Sequence, residues 1–245
     1  MNRINRWIGT AAAAVFVAAG SVAVAGQASA AECPDVQLVF ARGTFEAPGV
    51  GGTGQAFVDA LRAKTAGKSV DVYPVNYPAS LNFATAADGV IDAGNKVRDT
   101  VAACPDSKIV LGGFSQGAAV AAYITADAVP EGFALPPGLT GPMPEEVADH
   151  VAAVALFGKP SSGFLQMIYS GAPLITVGAP YAGKTMDLCI PTDPVCAPGG
   201  SDRNAHSMYA ANGLVDQAAE FAAGRVGGTS SAGTGQTIDA ASGQP

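Results

Sequence analysis

The sequence has few charged residues, and basic residues are the scarcer of the two signs. Only 13% of its 245 residues are charged, with 13 lysines and arginines and 20 aspartates and glutamates. Arg3 and Arg6 lie within residues 1–30, so the rest of the chain has 11 basic and 20 acidic residues and a formal charge of −9. Such a surface repels nucleic acid and gains nothing from anionic lipid head groups. We expect no nucleic-acid partner and a neutral substrate.

The chain also lacks a C-x-x-C pair and an internal linker. Without that pair, the common metal-binding and redox motifs are excluded, and we expect neither a metal ion nor a cofactor. Without a linker, the chain is expected to form a single domain with a sizeable core. We expect the protein to be a monomer.

The N-terminal segment has the three parts of a secretory signal peptide. Arg3 and Arg6 give it a positive start, residues 7–26 a weakly apolar middle, and Ala28-Ser29-Ala30 a cleavage site. We therefore expect residues 1–30 to be removed, with cleavage after Ala30 or Ala31, and the mature protein to be secreted or associated with the cell wall. An uncleaved membrane anchor is the alternative, but the segment consists mostly of Ala, Gly, Ser and Thr. We expect no stable membrane insertion.

The four cysteines of an exported chain are expected to pair, and sequence alone allows three connectivities. Cys189 and Cys196 are near enough in sequence to close a short loop. Cys33 and Cys104 would join the start of the first strand to the end of a helix.

Strand and helix patterns alternate along the chain. The strands are almost continuously apolar, which is typical of a parallel sheet covered on both faces. We predict an α/β fold with a doubly wound, mostly parallel five-stranded sheet. The predicted strands are 36–41, 69–75, 108–114, 151–157 and 174–177, and the predicted helices are 54–64, 84–103, 116–128 and 205–223.

The domain is expected to span residues 31–224. The Gly/Ser/Thr-rich tail 225–245 is expected to be disordered. Pro/Gly-rich segments at 130–144 and 158–173 interrupt the alternation where strands end, which is where sites are built in such folds.

The clearest motif is Gly113-Phe114-Ser115-Gln116-Gly117, which follows an apolar strand and precedes an Ala-rich stretch with no helix breaker. With 31 glycines the bare pattern can arise by chance, but its strand-turn-helix context is that of a nucleophile elbow. A serine hydroxyl becomes a good nucleophile when it is exposed on a tight turn and hydrogen-bonded to a base. The two glycines are needed because strand and helix cross closely there.

The base must be one of two histidines, because the chain has no others. His150 lies beside Asp149 at the start of an apolar strand and is interpreted as a surface or strand-edge residue. His206 lies just before the last predicted helix, late in the chain, as the order Ser, Asp, His of this fold requires. We predict that His206 is the base.

Three aspartates near His206 are candidates for the acid that orients it. Asp193 is the first choice, because Cys189 and Cys196 could close a loop around it and hold its carboxylate. Asp202 could instead cap the last helix, and Asp187 could be a polar residue at a strand end.

An oxyanion hole requires the backbone N–H after the nucleophile and a second donor from the loop after an early strand. Gln116 supplies the first. The loop 41–46 is the early segment suited to the second, and Thr44 could add its hydroxyl. The alternative for this loop is a plain glycine turn.

These motifs together resemble the cutinase family, in particular the secreted cutinase-like serine esterases of mycobacteria and related actinobacteria. The resemblance runs from about residue 33 to residue 223. It depends on R-G-T-x-E at 42–46, the G-F-S-Q-G elbow, D-x-C-x-x-x-D-x-x-C at 187–196, and a histidine 13 residues after Asp193.

The resemblance implies a small α/β-hydrolase domain without a large lid. It implies Ser115 as nucleophile, His206 as base and Asp193 as acid, with Thr44 and Gln116 forming the oxyanion hole. It also implies the disulfides Cys33–Cys104 and Cys189–Cys196. The chain departs from the fungal pattern at Phe114, where fungal members usually have Tyr, and in a Pro-rich insert at 135–144.

The expected function is hydrolysis of short- to medium-chain carboxylic esters through an acyl-enzyme. An alternative is a lipase, phospholipase or thioesterase acting on longer acyl chains. A non-catalytic cell-wall-associated binding protein is the alternative of another class, but it would require a broken Ser, His or Asp, and none is broken.

Overall fold

The computed structural model describes residues 32–129 and 134–227. Its strands are β1 (Val36–Ala41), β2 (Val70–Pro74), β3 (Lys108–Phe114), β4 (Val151–Phe157) and β5 (Thr185–Leu188). These five parallel strands form one sheet in the order β2-β1-β3-β4-β5. The order reverses between β1 and β3, the switch point at which ligands bind in such sheets.

Helices cover both faces of the sheet, so the predicted doubly wound α/β fold is confirmed. The described helices are α1 (Gly51–Lys64), α2 (Ala86–Ala103), α3 (Gln116–Ile124), α4 (Val147–His150), α5 (Ser162–Ile168), α6 (Ala179–Ala182) and α7 (Leu214–Gly227). One face of the sheet packs against α1 and α7, and the other against α2 and α3.

Strand β1 illustrates why its residues are apolar on both faces. Successive side chains of a strand point to opposite sides of the sheet. Val36, Leu38 and Phe40 belong to the core beneath α1 and α7, whereas Val39 and Ala41 belong to the core beneath α2 and α3. A central parallel strand has no solvent-facing side, which explains why β1 is almost continuously apolar. The exception is buried Gln37, whose side-chain amide donates to the Asp71 carbonyl of β2 at 3.3 Å.

The strand register brings four loops to one edge of the sheet. Ala41 pairs with Gly113, Phe114 with Phe157, and Phe157 with Leu188. The segments after β1, β3, β4 and β5 therefore begin side by side, and they contain most of the residues that the sequence singled out.

The predicted strand 174–177 was wrong. Ile175 and Val177 lie in an irregular segment and pack against the core on the α2/α3 side. Their apolar character comes from that packing and not from strand pairing. The fifth strand is β5, which has four residues and a mixed burial pattern, so it left little apolar signal in the sequence.

All four predicted helices have different bounds. Helix α1 begins at Gly51 and not at 54, and α2 begins at Ala86 and not at 84. Helix α3 ends at Ile124 and not at 128, because the Thr125 hydroxyl donates to the Ala122 carbonyl at 2.7 Å and closes the last turn. The helix expected at 205–223 is a 3₁₀ turn at Ala205–Ser207 followed, after Gly213 at φ +86°, by α7.

The chain ends of the prediction are only partly described. Helix α7 extends to Gly227, so residues 225–227 are helical and the start predicted for the disordered tail was wrong. Residues 228–245 and the predicted signal peptide lie outside the described residues. All described residues from Cys33 onward belong to one unit.

Both disulfides are formed. Cys33 bonds to Cys104 with 5.5 Å between Cα atoms, and Cys189 bonds to Cys196 with 5.8 Å. Across the two described ranges, no helix combines the length and the apolar character needed to span a membrane.

The tightest backbone approach in the fold occurs at Gly117, where a Cβ would overlap the carbonyl of Ala41. We expect Gly117→Ala to destabilise the protein by at least about 3 kcal/mol, because only a backbone shift can relieve this overlap. The matched control is Gly224→Ala, at an exposed position of α7 with open space where the Cβ would lie, and this variant should gain up to about 1 kcal/mol of stability. Urea unfolding measures both, and equal unfolding free energies would contradict the prediction.

Candidate active site

Ser115 lies on the turn between β3 and α3, at the edge where the strands end. Its φ of +55° is uncommon for a residue with a side chain. The turn is fixed by the Ser115 N–H, which donates to the Phe157 carbonyl at 2.8 Å. It is also fixed by close packing, since a Cβ at Gly113 would overlap the backbone of Gly117. This strained geometry is the one that a nucleophile elbow requires.

His206 lies beside Ser115 on the 3₁₀ turn Ala205–Ser207. Its Nε2 is 2.9 Å from the Ser115 hydroxyl oxygen, and its Nδ1 is 2.7 Å from Oδ2 of Asp193. When Nδ1–H donates to the carboxylate, Nε2 is left to accept the serine proton. The Phe114 ring lies 4.9 Å from the imidazole, at an angle of 30°.

The carboxylate of Asp193 is fully buried. Its Oδ1 accepts the Val195 N–H at 2.9 Å, and its Oδ2 accepts both His206 Nδ1–H and the Tyr209 hydroxyl at 2.7 Å. The Cys189–Cys196 disulfide closes the loop around it. A buried carboxylate is tolerated when donors of this kind surround it.

The other candidates make different contacts. Asp187 forms an ion pair with Lys159 at 3.2 Å, and Asp202 accepts the backbone N–H two residues further on. His150 contacts the carbonyl oxygen of Pro105. Of the candidate histidines and aspartates, the structure brings His206 and Asp193 to Ser115.

Both residues predicted for the oxyanion hole border the same pocket as Ser115. Gln116 is the first residue of α3, so its backbone N–H has no partner within the helix. Thr44 lies in the loop after β1. The Gln116 side chain donates to the carbonyl of Ser80 at 3.1 Å and thereby ties α3 to a neighbouring loop.

The loop that carries Thr44 is held by two residues whose role the sequence did not reveal. Buried Arg42 donates from Nε to the Glu46 carbonyl at 2.9 Å and from Nη2 to the Tyr77 carbonyl at 2.6 Å. The Glu46 carboxylate accepts the N–H groups of Gly43 at 2.6 Å and Gly52 at 2.7 Å. The R-G-T-x-E spacing was the available signal, but it did not say what Arg42 and Glu46 contact.

A pocket of about 440 Å³ opens at Ser115 and His206. Its lining is mainly apolar, and Phe45 and Leu81 at its border are largely exposed. Among the described residues, no cluster of His, Cys, Asp and Glu is suited to hold a metal ion. Further lining residues are Phe83, Val90, Ala119, Tyr123, Ala126, Leu135, Leu139, Ile168 and Leu174.

Comparison with known proteins identifies relatives of this chain. The chain is 57% identical over 171 residues to "Probable carboxylesterase Culp5" of Mycobacterium tuberculosis, covering 70% of this chain and 95% of that protein. It is 46% identical over 222 residues to "Carboxylesterase Culp1" of the same organism, covering 90% of this chain and 95% of that protein.

A solved cutinase of Trichoderma reesei, in complex with a phosphonate inhibitor, superposes with a TM-score of 0.58 at 29% identity. The superposition covers 79% of this chain and 77% of that one. The family model for cutinase matches residues 32–226, which include all the site residues described above. The chain therefore belongs to the cutinase family of carboxylic-ester hydrolases.

Proposed function

We propose that the protein is a secreted serine esterase in which Ser115, His206 and Asp193 act together on short- to medium-chain carboxylic esters. The observation that carries the proposal is the unbroken row of hydrogen bonds from the Ser115 hydroxyl through the imidazole to a buried carboxylate. This row ends at the mouth of an apolar pocket, where an ester can bind.

In the first half of the reaction, the Ser115 Oγ attacks the ester carbonyl carbon while its proton passes to His206 Nε2. The carbonyl oxygen becomes an oxyanion, which the Gln116 N–H and the Thr44 loop stabilise. The tetrahedral intermediate then collapses, the C–O bond to the alcohol breaks, and His206 returns the proton to the leaving oxygen. Ser115 is left acylated.

In the second half, water takes the place of the alcohol. His206 accepts a proton from the water as its oxygen attacks the acyl carbon. When this second tetrahedral intermediate collapses, the bond between the acyl carbon and Ser115 Oγ breaks, His206 gives the proton to Oγ, and the carboxylic acid leaves. Asp193 keeps the imidazole in one orientation and stabilises its positive charge during both halves.

The shape of the pocket supports an acyl site of medium length. Gln116, Ala119 and Tyr123 line it from one face of α3, at spacings of three and four residues. The distance along the helix from Gln116 to Tyr123 is about 10 Å, close to the length of an octanoyl chain. Because the lining continues to Ala126 and Leu139, an esterase for longer acyl chains is the second candidate.

Secretion is supported by the two disulfides, which persist in oxidising compartments, and by the signal-like residues 1–30. Neither disulfide nor signal sequence would be expected in an ordinary cytosolic esterase.

The proposal is tested first at Ser115. We expect Ser115→Ala to lower kcat by four to six orders of magnitude, roughly, because the nucleophile is gone, and a phosphonate ester to label Ser115 alone by mass spectrometry. Ser201→Ala, at an exposed serine, is the control and should keep full activity. Activity of Ser115→Ala within tenfold of wild type, roughly, would overturn the assignment.

The second prediction concerns the disulfide beside Asp193. The loop-entropy model gives about 2.5 kcal/mol for the Cys189–Cys196 closure and about 4.4 kcal/mol for Cys33–Cys104. Replacing Cys189 and Cys196 by Ser should lower kcat by about 10²-fold through misplacement of the carboxylate, with a modest fall in Tm. Replacing Cys33 and Cys104 by Ser should instead lower Tm more and leave kcat unchanged. Full kcat in the Cys189/Cys196 variant would mean that the bridge does not position Asp193.

The third prediction concerns acyl length. Ala119→Leu should narrow the pocket one helical turn from Ser115 and lower kcat/KM for an octanoyl ester about tenfold relative to a butyryl ester, because about two CH₂ groups lose their burial. Ala126→Leu, at a lining residue beyond the end of α3, should change only the preference among longer chains. Equal losses on both esters in Ala119→Leu would show that this part of the pocket does not hold the acyl chain.

A further inference from the structure

Tyr209 lies three residues after His206 and is fully buried. Its ring packs edge-on against Phe157 at 6.3 Å and against His206 at the same distance. The backbone at Gly158 is packed just as closely, since a Cβ there would come within 3.0 Å of both the imidazole and the Tyr209 hydroxyl. Tyr209 is therefore held in one position, in contact with the proposed base.

The Tyr209 hydroxyl links the segment that carries His206 to the loop 189–196, which carries Asp193. It donates to Asp193 Oδ2 at 2.7 Å and accepts the Ile190 N–H at 3.3 Å. It also lies 3.2 Å from Sγ of Cys196, a disulfide sulfur that carries no proton. The Tyr209 hydroxyl thus contacts this loop at three points: at Ile190 before Asp193, at Asp193 itself, and at Cys196 after it.

The same carboxylate oxygen receives His206 Nδ1–H and the Tyr209 hydroxyl, each at 2.7 Å. A second donor on that oxygen stabilises its negative charge and reduces the charge available to an imidazolium. It also fixes the direction from which the imidazole is held. The Tyr209 contact therefore bears both on the orientation of the imidazole and on the negative charge that the imidazole faces.

Tyr209 remains a donor throughout the pH range of the reaction. Burial raises the pKa of its hydroxyl well above the ordinary value, and the hydrogen bond to Asp193 raises it further. The hydroxyl is also absent from the lining of the substrate pocket. Its influence on the reaction must therefore pass through Asp193 and His206.

We propose that Tyr209 is a positioning residue for ester hydrolysis, whose hydroxyl orients Asp193 and limits the attraction of that carboxylate for protonated His206. The inference rests on the proposed function, in which Ser115, His206 and Asp193 act together. A purely structural role would require only the buried ring, which a phenylalanine also supplies.

The other charged groups near this cluster are few. Asp187 of β5 contributes to the raised pKa of Tyr209. Lys159, which follows β4, forms an ion pair with Asp187 at 3.2 Å. Asp202 and Arg203 precede His206 on its own loop and are exposed. Removing the Tyr209 hydroxyl leaves all four in place, so the comparison of variants isolates that hydroxyl.

The test is Tyr209→Phe in the purified protein, assayed with a soluble butyryl ester from pH 5 to pH 9. We expect kcat to fall about tenfold, because a hydrogen bond to a charged group is lost, while KM stays unchanged. The carboxylate, freed of one donor, then stabilises protonated His206 more strongly. The rising limb of kcat/KM, which reports the free enzyme, should therefore move to higher pH by about half a unit or more.

Tyr181→Phe is the matched control, because Tyr181 is also buried but belongs to the core on the other face of the sheet. It should leave kcat and the pH profile unchanged. A tenfold fall in kcat without a shift of the limb would reduce Tyr209 to a structural residue, roughly the effect of a loosened site. An unchanged Tyr209→Phe would overturn the inference altogether.

The two proposals fail separately. If Ser115→Ala stays active, the proposed function fails. If Ser115→Ala is inactive and Tyr209→Phe behaves like Tyr181→Phe, only the role of Tyr209 fails.

Should Tyr209→Phe not fold, 3-fluorotyrosine at position 209 keeps the ring and makes the hydroxyl a stronger donor. The limb should then move to lower pH, and an unmoved limb would overturn the inference.

Discussion

The close contact between the start of α3 and the end of β1 is the constraint on which the site depends. Because Gly117 lies against the Ala41 carbonyl, the turn before it has no freedom to relax, and Ser115 is held at a positive φ. The same contact brings the N-terminus of α3 next to the loop that carries Thr44. The positions of Ser115 and of the proposed oxyanion donors thus depend on one backbone approach, which the parallel register of β1 and β3 makes possible.

Two buried charges hold the loops on either side of Ser115. Asp193 is satisfied by a backbone N–H and two side chains, and Arg42 by backbone carbonyls. Neither depends on a simple ion pair between Lys or Arg and a carboxylate. Hydrogen bonds to the backbone fix direction as well as distance, which suits groups that must be placed to within a fraction of an ångström.

The sequence was sufficient to predict features that lie within a few consecutive residues or that involve a residue type rare in the chain. The elbow is a run of five residues, and a chain with two histidines leaves few choices for a base. Strand β5 and the contacts of Arg42 with the carbonyls of Val75 and Tyr77 could not be predicted, because they join segments far apart in sequence. Tyr209 is close to His206 in sequence, but a buried tyrosine is more often simply part of a core, and only its hydroxyl contacts distinguish it.

The Cys33–Cys104 bond ties the chain at the opposite edge of the sheet from the pocket. Cys104 precedes β3 and Ser115 follows it, so the length of that strand, about 20 Å, separates the disulfide from Ser115. Exposed Asp106 lies on the same side as the disulfide. An enzyme coupled to a solid support through this edge would therefore present its pocket to the surrounding solution.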